Sequence, residues 1–199
     1  MVNDGSTDNT RYIAEQFPVR LINQSNKGLA MARNSGIMNA QGEYMLPLDS
    51  DDWISPTYLA KTVPLLDANP KVAAIYPAME FVGEVEHGNV HVPPKKFSLE
   101  DLLRENHLIV CSLIRKEALL ECGGYNTRLY AFEDWNLWVD IMKRGWEFIL
   151  IPEALFKYRR RRGTMIETEG WTKEADLSRI MREAHPDLAH LNPFSKRVI

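Results

Sequence analysis

Between residues 10 and 76 the chain alternates short helical and short extended runs, none long enough to bury itself alone. Residues 10–17 are helical in character and stop at Pro18, and Val19-Arg20-Leu21-Ile22 is strand-like. A second helix covers 28–40, with Leu29, Ala32 and Gly36 at helical spacing and Gly42 just past its end. An extended run at 43–48, a helix at 56–68 and a strand at 72–76 continue the alternation. Pieces of this length in this order predict an α/β layer fold, with a mixed, mainly parallel sheet flanked by helices.

Downstream, 79–92 reads as a hairpin around Glu86-His87-Gly88-Asn89, and Pro93-Pro94 opens a loop. A helix follows at 98–105, where Ser98 and Asp101 match a capping box with Asp in place of Glu. Cys111 to Ile114 is strand-like, and helices at 116–121 and 133–144 are closed by Gly123-Gly124 and Gly145. Trp135, Leu137, Trp138, Ile141 and Met142 give the second of these a core-facing side. Two further strands, 148–151 and 155–158, are separated by Pro152-Glu153, and a helix is expected at 173–184. Residues 1–165 are read as one domain and 166–199 as a helical and irregular tail.

With 199 residues and 45% hydrophobic content, the chain can build one substantial core. A net charge of −3 offers no global attraction for nucleic acid, which is excluded as a partner. Cys111 and Cys122 lack any C-x-x-C spacing and are read as reduced thiols in a cytoplasmic protein. No run approaches the roughly 20 apolar residues of a membrane span.

The chemistry is concentrated where the run Tyr44-Met45-Leu46-Pro47-Leu48 ends in Asp49-Ser50-Asp51-Asp52. On an extended backbone Asp49 and Asp51 share a face and Asp52 points away, an oxygen-rich arrangement suited to Mg²⁺ or Mn²⁺. The same residues also read as an acidic turn, with Asp52 or Ser55 capping the helix that follows.

Three stretches need a joint account: Asn3-Asp4-Gly5-Ser6, the acid cluster, and Glu133-Asp134-Trp135. Between and after them lie Asn26-Lys27-Gly28, Ala32-Arg33-Asn34-Ser35-Gly36, Ala40-Gln41-Gly42-Glu43-Tyr44, Gly123-Gly124-Tyr125-Asn126, Gly145, Ile151-Pro152 and Tyr158-Arg159. In this order, over residues 2 to 165, they resemble glycosyltransferase family 2, inverting enzymes of the GT-A fold that use nucleotide-diphosphate sugars.

The resemblance implies a role for each motif. Asp4 and Ser6 belong to the loop that contacts the nucleotide, with Asn3 where the family carries another Asp. Lys27 and Arg33 form a basic edge beside the nucleotide, although Arg33 is equally placed to pair with Asp49. Asp51 would ligate Mn²⁺ or Mg²⁺ and Asp49 would face ribose or metal. Glu133 and Asp134 match the catalytic pair, with Asp134 as general base. Arg161 stands where many relatives carry His; it cannot ligate a cation but can pair with a diphosphate.

The expected activity is metal-dependent, inverting transfer of a sugar to a glycan or lipid-linked acceptor. The run Arg159 to Arg162 suits either anionic lipid, which allows peripheral contact at the inner face of the membrane, or an exposed strand end. The family's usual first strand-helix unit is not seen ahead of Asn3, so an N-terminally truncated fold is expected. Its open sheet edge would favour a partner chain, such as a homo-oligomer. The same observation motivates the alternative, a non-catalytic remnant that binds nucleotide weakly or serves as an interaction module.

Overall fold

A computed structural model describes residues 1–163 and 173–191. In chain order the elements are β1 (Val2–Asp4), α1 (Thr10–Ala14), β2 (Ile22–Gln24), α2 (Leu29–Asn39), β3 (Tyr44–Met45), β4 (Trp53–Ile54), α3 (Tyr58–Ala68) and β5 (Val72–Gly83). They continue as β6 (Val90–His91), α4 (Leu99–Arg104), β7 (Leu113–Arg115), α5 (Lys116–Glu121), α6 (Glu133–Lys143), β8 (Glu147–Arg160) and α7 (Glu174–Ala184), followed by a 3₁₀ turn (Pro186–Leu191).

The main sheet runs β3-β7-β5-β8-β4, with β6 paired to β5, while β1 and β2 form a separate parallel pair. Strands β5 and β8 run parallel from Val72 opposite Glu147 to Gly83 opposite Arg160. The other pairings of the main sheet are antiparallel but short. The sheet is therefore mixed, and parallel by length because one ladder dominates it. Val72 to Ala78 is buried without interruption, as a central strand covered on both faces requires.

Two sequence expectations change here. The strand expected at 19–22 forms instead at Ile22–Gln24, where it pairs with β1. Pro152-Glu153 does not end a strand: Ile151 lies opposite Pro77 and Ala154 opposite Ala78, so the two residues bulge out of a continuous β8. A bulge is one of the few sheet positions that tolerates proline.

Helix α6 lies at the centre of the core, with Trp135, Leu137, Trp138 and Ile141 buried and Met142 packed against them. Leu177, Ile180, Met181 and Leu188 join the same cluster, so 173–191 packs on the main body rather than trailing from it. The boundary at 165 lies outside the described residues. Helix α4 starts with the expected capping box: Ser98 Oγ accepts from Asp101 N at 3.1 Å, and Asp101 Oδ2 accepts from Ser98 N at 3.0 Å. No helix among the described residues is long and apolar enough to cross a membrane.

Candidate active site

Asp4 ends β1 and is held by backbone. Its Oδ1 accepts from Gln24 Nε2 at 2.7 Å and Lys27 N at 2.9 Å, and its Oδ2 accepts from Gly28 N at 2.9 Å. Burial raises its proton affinity, but these donors outweigh it and keep the carboxyl below its ordinary value. Asp4 thereby fixes the loop that launches α2. Gly5, at φ 76°, must be glycine, because a Cβ there would sit 2.6 Å from Asn26 N. The Ser6 N–H donates to Asn3 Oδ1 at 3.1 Å, and Lys27 is exposed beside them. Asp4, Ser6 and Lys27 thus share one loop pair, outside the cavity described below.

The acid cluster is a turn, not an extended strand end: Asp52 N donates to Asp49 O at 3.1 Å. Asp49 and Asp51 consequently point to different partners. Asp49 accepts twice from Arg33 Nη2, at 2.9 and 3.2 Å, and Asp51 Oδ2 accepts from Arg161 Nη2 at 2.6 Å. Asp52 does not cap α3. Its Oδ1 accepts from Arg159 N at 2.7 Å, and the buried Oδ2 has no hydrogen-bond partner among the described residues. Burial, reinforced by Asp51 and Asp49 and opposed by the Arg159 N–H, pushes its carboxyl up to about 7. The N-cap of α3 is Thr57, whose side chain makes no capping bond, and Ser55 Oγ accepts from Thr57 N at 3.3 Å.

The arginine run is largely satisfied by its own fold. Arg159 Nε donates to Asp51 O at 2.9 Å and its guanidinium lies 5.0 Å from the Trp53 ring. Arg160 pairs with Glu86 and covers Phe81, and Arg161 pairs with Asp51. Arg160 and Arg161 are thus paired with carboxylates, whereas Arg159 binds a backbone carbonyl and lies over Trp53.

A cavity of about 410 Å³ opens beside β5 and α6, and Arg33, Asp49, Glu133 and Asp134 line one side of it. Arg33 is buried, donates Nη1 to Glu133 and Nη2 to Asp49, and lies 5.5 Å from the Tyr125 ring centre. The expected pairing of Arg33 with Asp49 is present. Burial lowers the guanidinium's proton affinity, but Glu133 and Asp49 hold it above its ordinary value.

Burial and neighbouring Asp134 push Glu133 up to about 7 against the pull of Arg33, and burial also raises Asp134. Asp134 Oδ1 accepts from Trp135 N at 2.7 Å within the first turn of α6, and Oδ2 lies 3.5 Å from Asn106 Nδ2. The helix is entered through Phe132 in the left-handed region, at φ 61°, a costly conformation for a bulky residue.

The structure thus joins Arg33, Asp49, Glu133 and Asp134 in one wall, with Asp51 and Arg161 paired separately. Tyr125 and Tyr158 entered the sequence reading only as parts of motifs, and Asn106 and His107 were not singled out individually. Asn106 and His107 lie in an irregular loop with no pattern, and Tyr125 reads as part of a glycine turn. Among the described residues no group of three His, Cys, Asp or Glu side chains could enclose a metal. Asp49 and Asp51, the carboxylates expected to hold a metal, are each engaged by an arginine, Arg33 and Arg161.

The family model described as "Glycosyl transferase family 2" matches residues 1–121. The chain is 32% identical over 152 residues to an uncharacterized glycosyltransferase of Haemophilus influenzae, covering 72% of this chain and 51% of the relative. It is 28% identical over 168 residues to the amylovoran biosynthesis glycosyltransferase AmsE of Erwinia amylovora, covering 79% and 61%. Among solved structures, S. aureus TarS 1-349 in complex with UDP-GlcNAc superposes with a TM-score of 0.72 at 21% identity, covering 96% of this chain and 59% of that TarS 1-349 chain. That likeness shows the GT-A-type fold, and the chain spans only about half to three fifths of the length of these proteins. Matching the family model over more than half its length, the chain belongs to glycosyl transferase family 2.

Proposed function

We propose that this chain transfers a sugar, with inversion, from a nucleotide-diphosphate donor to a hydroxyl of a glycan or lipid-linked acceptor. The observation that carries the reading is the single cavity wall formed by Asp49, Arg33, Glu133 and Asp134. Family membership and the fold shared with a UDP-GlcNAc complex support a nucleotide-sugar donor.

Asp134 is the general base. It takes the acceptor hydroxyl proton as the acceptor oxygen bonds to the anomeric carbon, and the bond from that carbon to the diphosphate breaks on the opposite face. Glu133, already paired with Arg33, holds the helix start and leaves proton transfer to its neighbour. Asp51, with Asp49, would hold Mn²⁺ or Mg²⁺, which supplies Lewis-acid neutralisation of the departing diphosphate. Arg161, released from Asp51, is placed to share that neutralisation.

Calorimetric titration of nucleoside diphosphates, alone and with Mn²⁺, followed by a turnover panel of nucleotide sugars that includes UDP-GlcNAc, tests the reading. Binding of one diphosphate that strengthens with Mn²⁺ is expected. Absence of binding by every diphosphate at millimolar concentration leaves the non-catalytic alternative.

A further inference from the structure

We propose that Asn106 is a positioning residue for Asp134, holding the Oδ2 edge of that carboxylate toward the cavity. The proposal rests on the reading of Asp134 as the base. Asn106 lies just after α4, and its amide orientation is fixed by a second bond: Oδ1 accepts from Leu108 N at 3.2 Å. That leaves Nδ2, a donor, facing Asp134 Oδ2 at 3.5 Å.

The distance is at the outer edge of hydrogen bonding, as catalytic contacts often are before substrate tightens them. Its two supports are tied together. Trp135, the residue after Asp134, donates its indole Nε1–H to Leu102 O on α4 at 2.5 Å, and α4 is anchored at its start by the Ser98 capping box. The Trp135–Leu102 bond therefore ties the helix that carries Asp134 to the helix that Asn106 follows.

The Trp135 N–H holds the other oxygen, Oδ1, at 2.7 Å, and Arg33 also favours the ionised carboxyl, so Asn106 is the donor that faces Oδ2. Glu133 on the same helix and Asp49 after β3 are carboxylates that raise its proton affinity or that of its neighbour. Arg33 on α2 is committed to those two carboxylates, and Tyr125 lies against Arg33. Glu105 and His107 line the cavity on either side of Asn106. A neutral amide donor stabilises the ionised base without adding a cation to the place where the acceptor enters.

The test is a ¹³C NMR titration of the full chain labelled at the aspartate carboxyl carbons, in which the resonance lost in Asp134→Asn identifies Asp134. Asn106→Asp keeps an acceptor for the Leu108 N–H but replaces the donor facing Asp134 with a carboxylate. It should raise the Asp134 midpoint by about one pH unit, and Asn106→Ala should raise it by less. An unmoved midpoint in both variants overturns the proposal, because a merely structural asparagine would lower thermal stability without touching that titration. Undiminished sugar transfer by Asp134→Asn would instead overturn the reading of Asp134 as base, and with it the catalytic purpose of the contact, whatever the midpoint does.

Discussion

Arg33 on α2 and Glu133 at the start of α6 are 100 residues apart in sequence and form a buried ion pair. The same guanidinium holds Asp49, so one side chain joins the acid turn to the start of α6. Removing it leaves two carboxylates without their cation in a partly dry wall. Arg33→Met should cost about 3 kcal/mol in urea unfolding. Adding Glu133→Gln should recover part of that loss, because the amide needs no counter-charge; a double variant no more stable than Arg33→Met would count against the pairing as the cause.

If Asp134 removes the acceptor proton, Asp134→Asn should lower kcat by roughly 10²-fold or more. Calorimetric affinity for nucleoside diphosphate should stay within about twofold, since the lost proton acceptor is not needed for donor binding. A matching loss of donor affinity would move Asp134 to the binding machinery.

Asp52 gives a stability dependence on pH with a definite sign. Its folded carboxyl is raised to about 7 from an ordinary value near 3.8, so the folded state keeps a proton that the unfolded state has released. Its contribution is complete below the unfolded value and is lost as pH rises from there through about 7. In chelated buffer Asp52→Asn should therefore be nearly neutral at acid pH. At pH 8 it should stabilise by about 1 to 2 kcal/mol, allowing for solvent screening. Thermal melts at the two pH values read the difference.

Gly124 has φ 82°, and a Cβ there would lie 2.5 Å from Asn34 Oδ1. Asn34 accepts from Tyr125 N at 2.7 Å and donates Nδ2 to Tyr125 O at 2.8 Å, which keeps that ring beside Arg33. Gly124→Ala should cost about 2 to 3 kcal/mol through strain and displacement of Asn34. Gly123→Ala, at φ 74° with nothing near its added methyl, should cost only about 1 to 2 kcal/mol. Denaturant midpoints for the pair separate crowding from backbone strain.

Local pattern made much of the architecture readable. The helices at Lys116–Glu121 and Glu133–Lys143 end near glycines that adopt positive φ, and the Ser98 capping box closes as its spacing implies. The acid cluster was legible in position but not in geometry. Alternation along an extended chain puts Asp49 and Asp51 on one face, whereas a turn bond from Asp52 N turns them toward Arg33 and Arg161. The Arg33–Asp49 pair was among the readings of the sequence, but no local pattern encodes the Arg161–Asp51 pair, 110 residues apart. Trp53–Ile54 was likewise missed as a strand, because two residues carry no periodicity and pairing with β8 makes them one.

The long β5–β8 ladder sets an order on folding. A chain made from its N-terminus presents Val72 to Ala78, seven residues destined for burial, well before their parallel partner at Glu147–Arg160 has been synthesised. Closing that separation is entropically expensive and is rewarded only at the end. Until β8 is made, β5 has only its short pairings with β7 and β6 to draw on, so its most apolar stretch gains its long partner last.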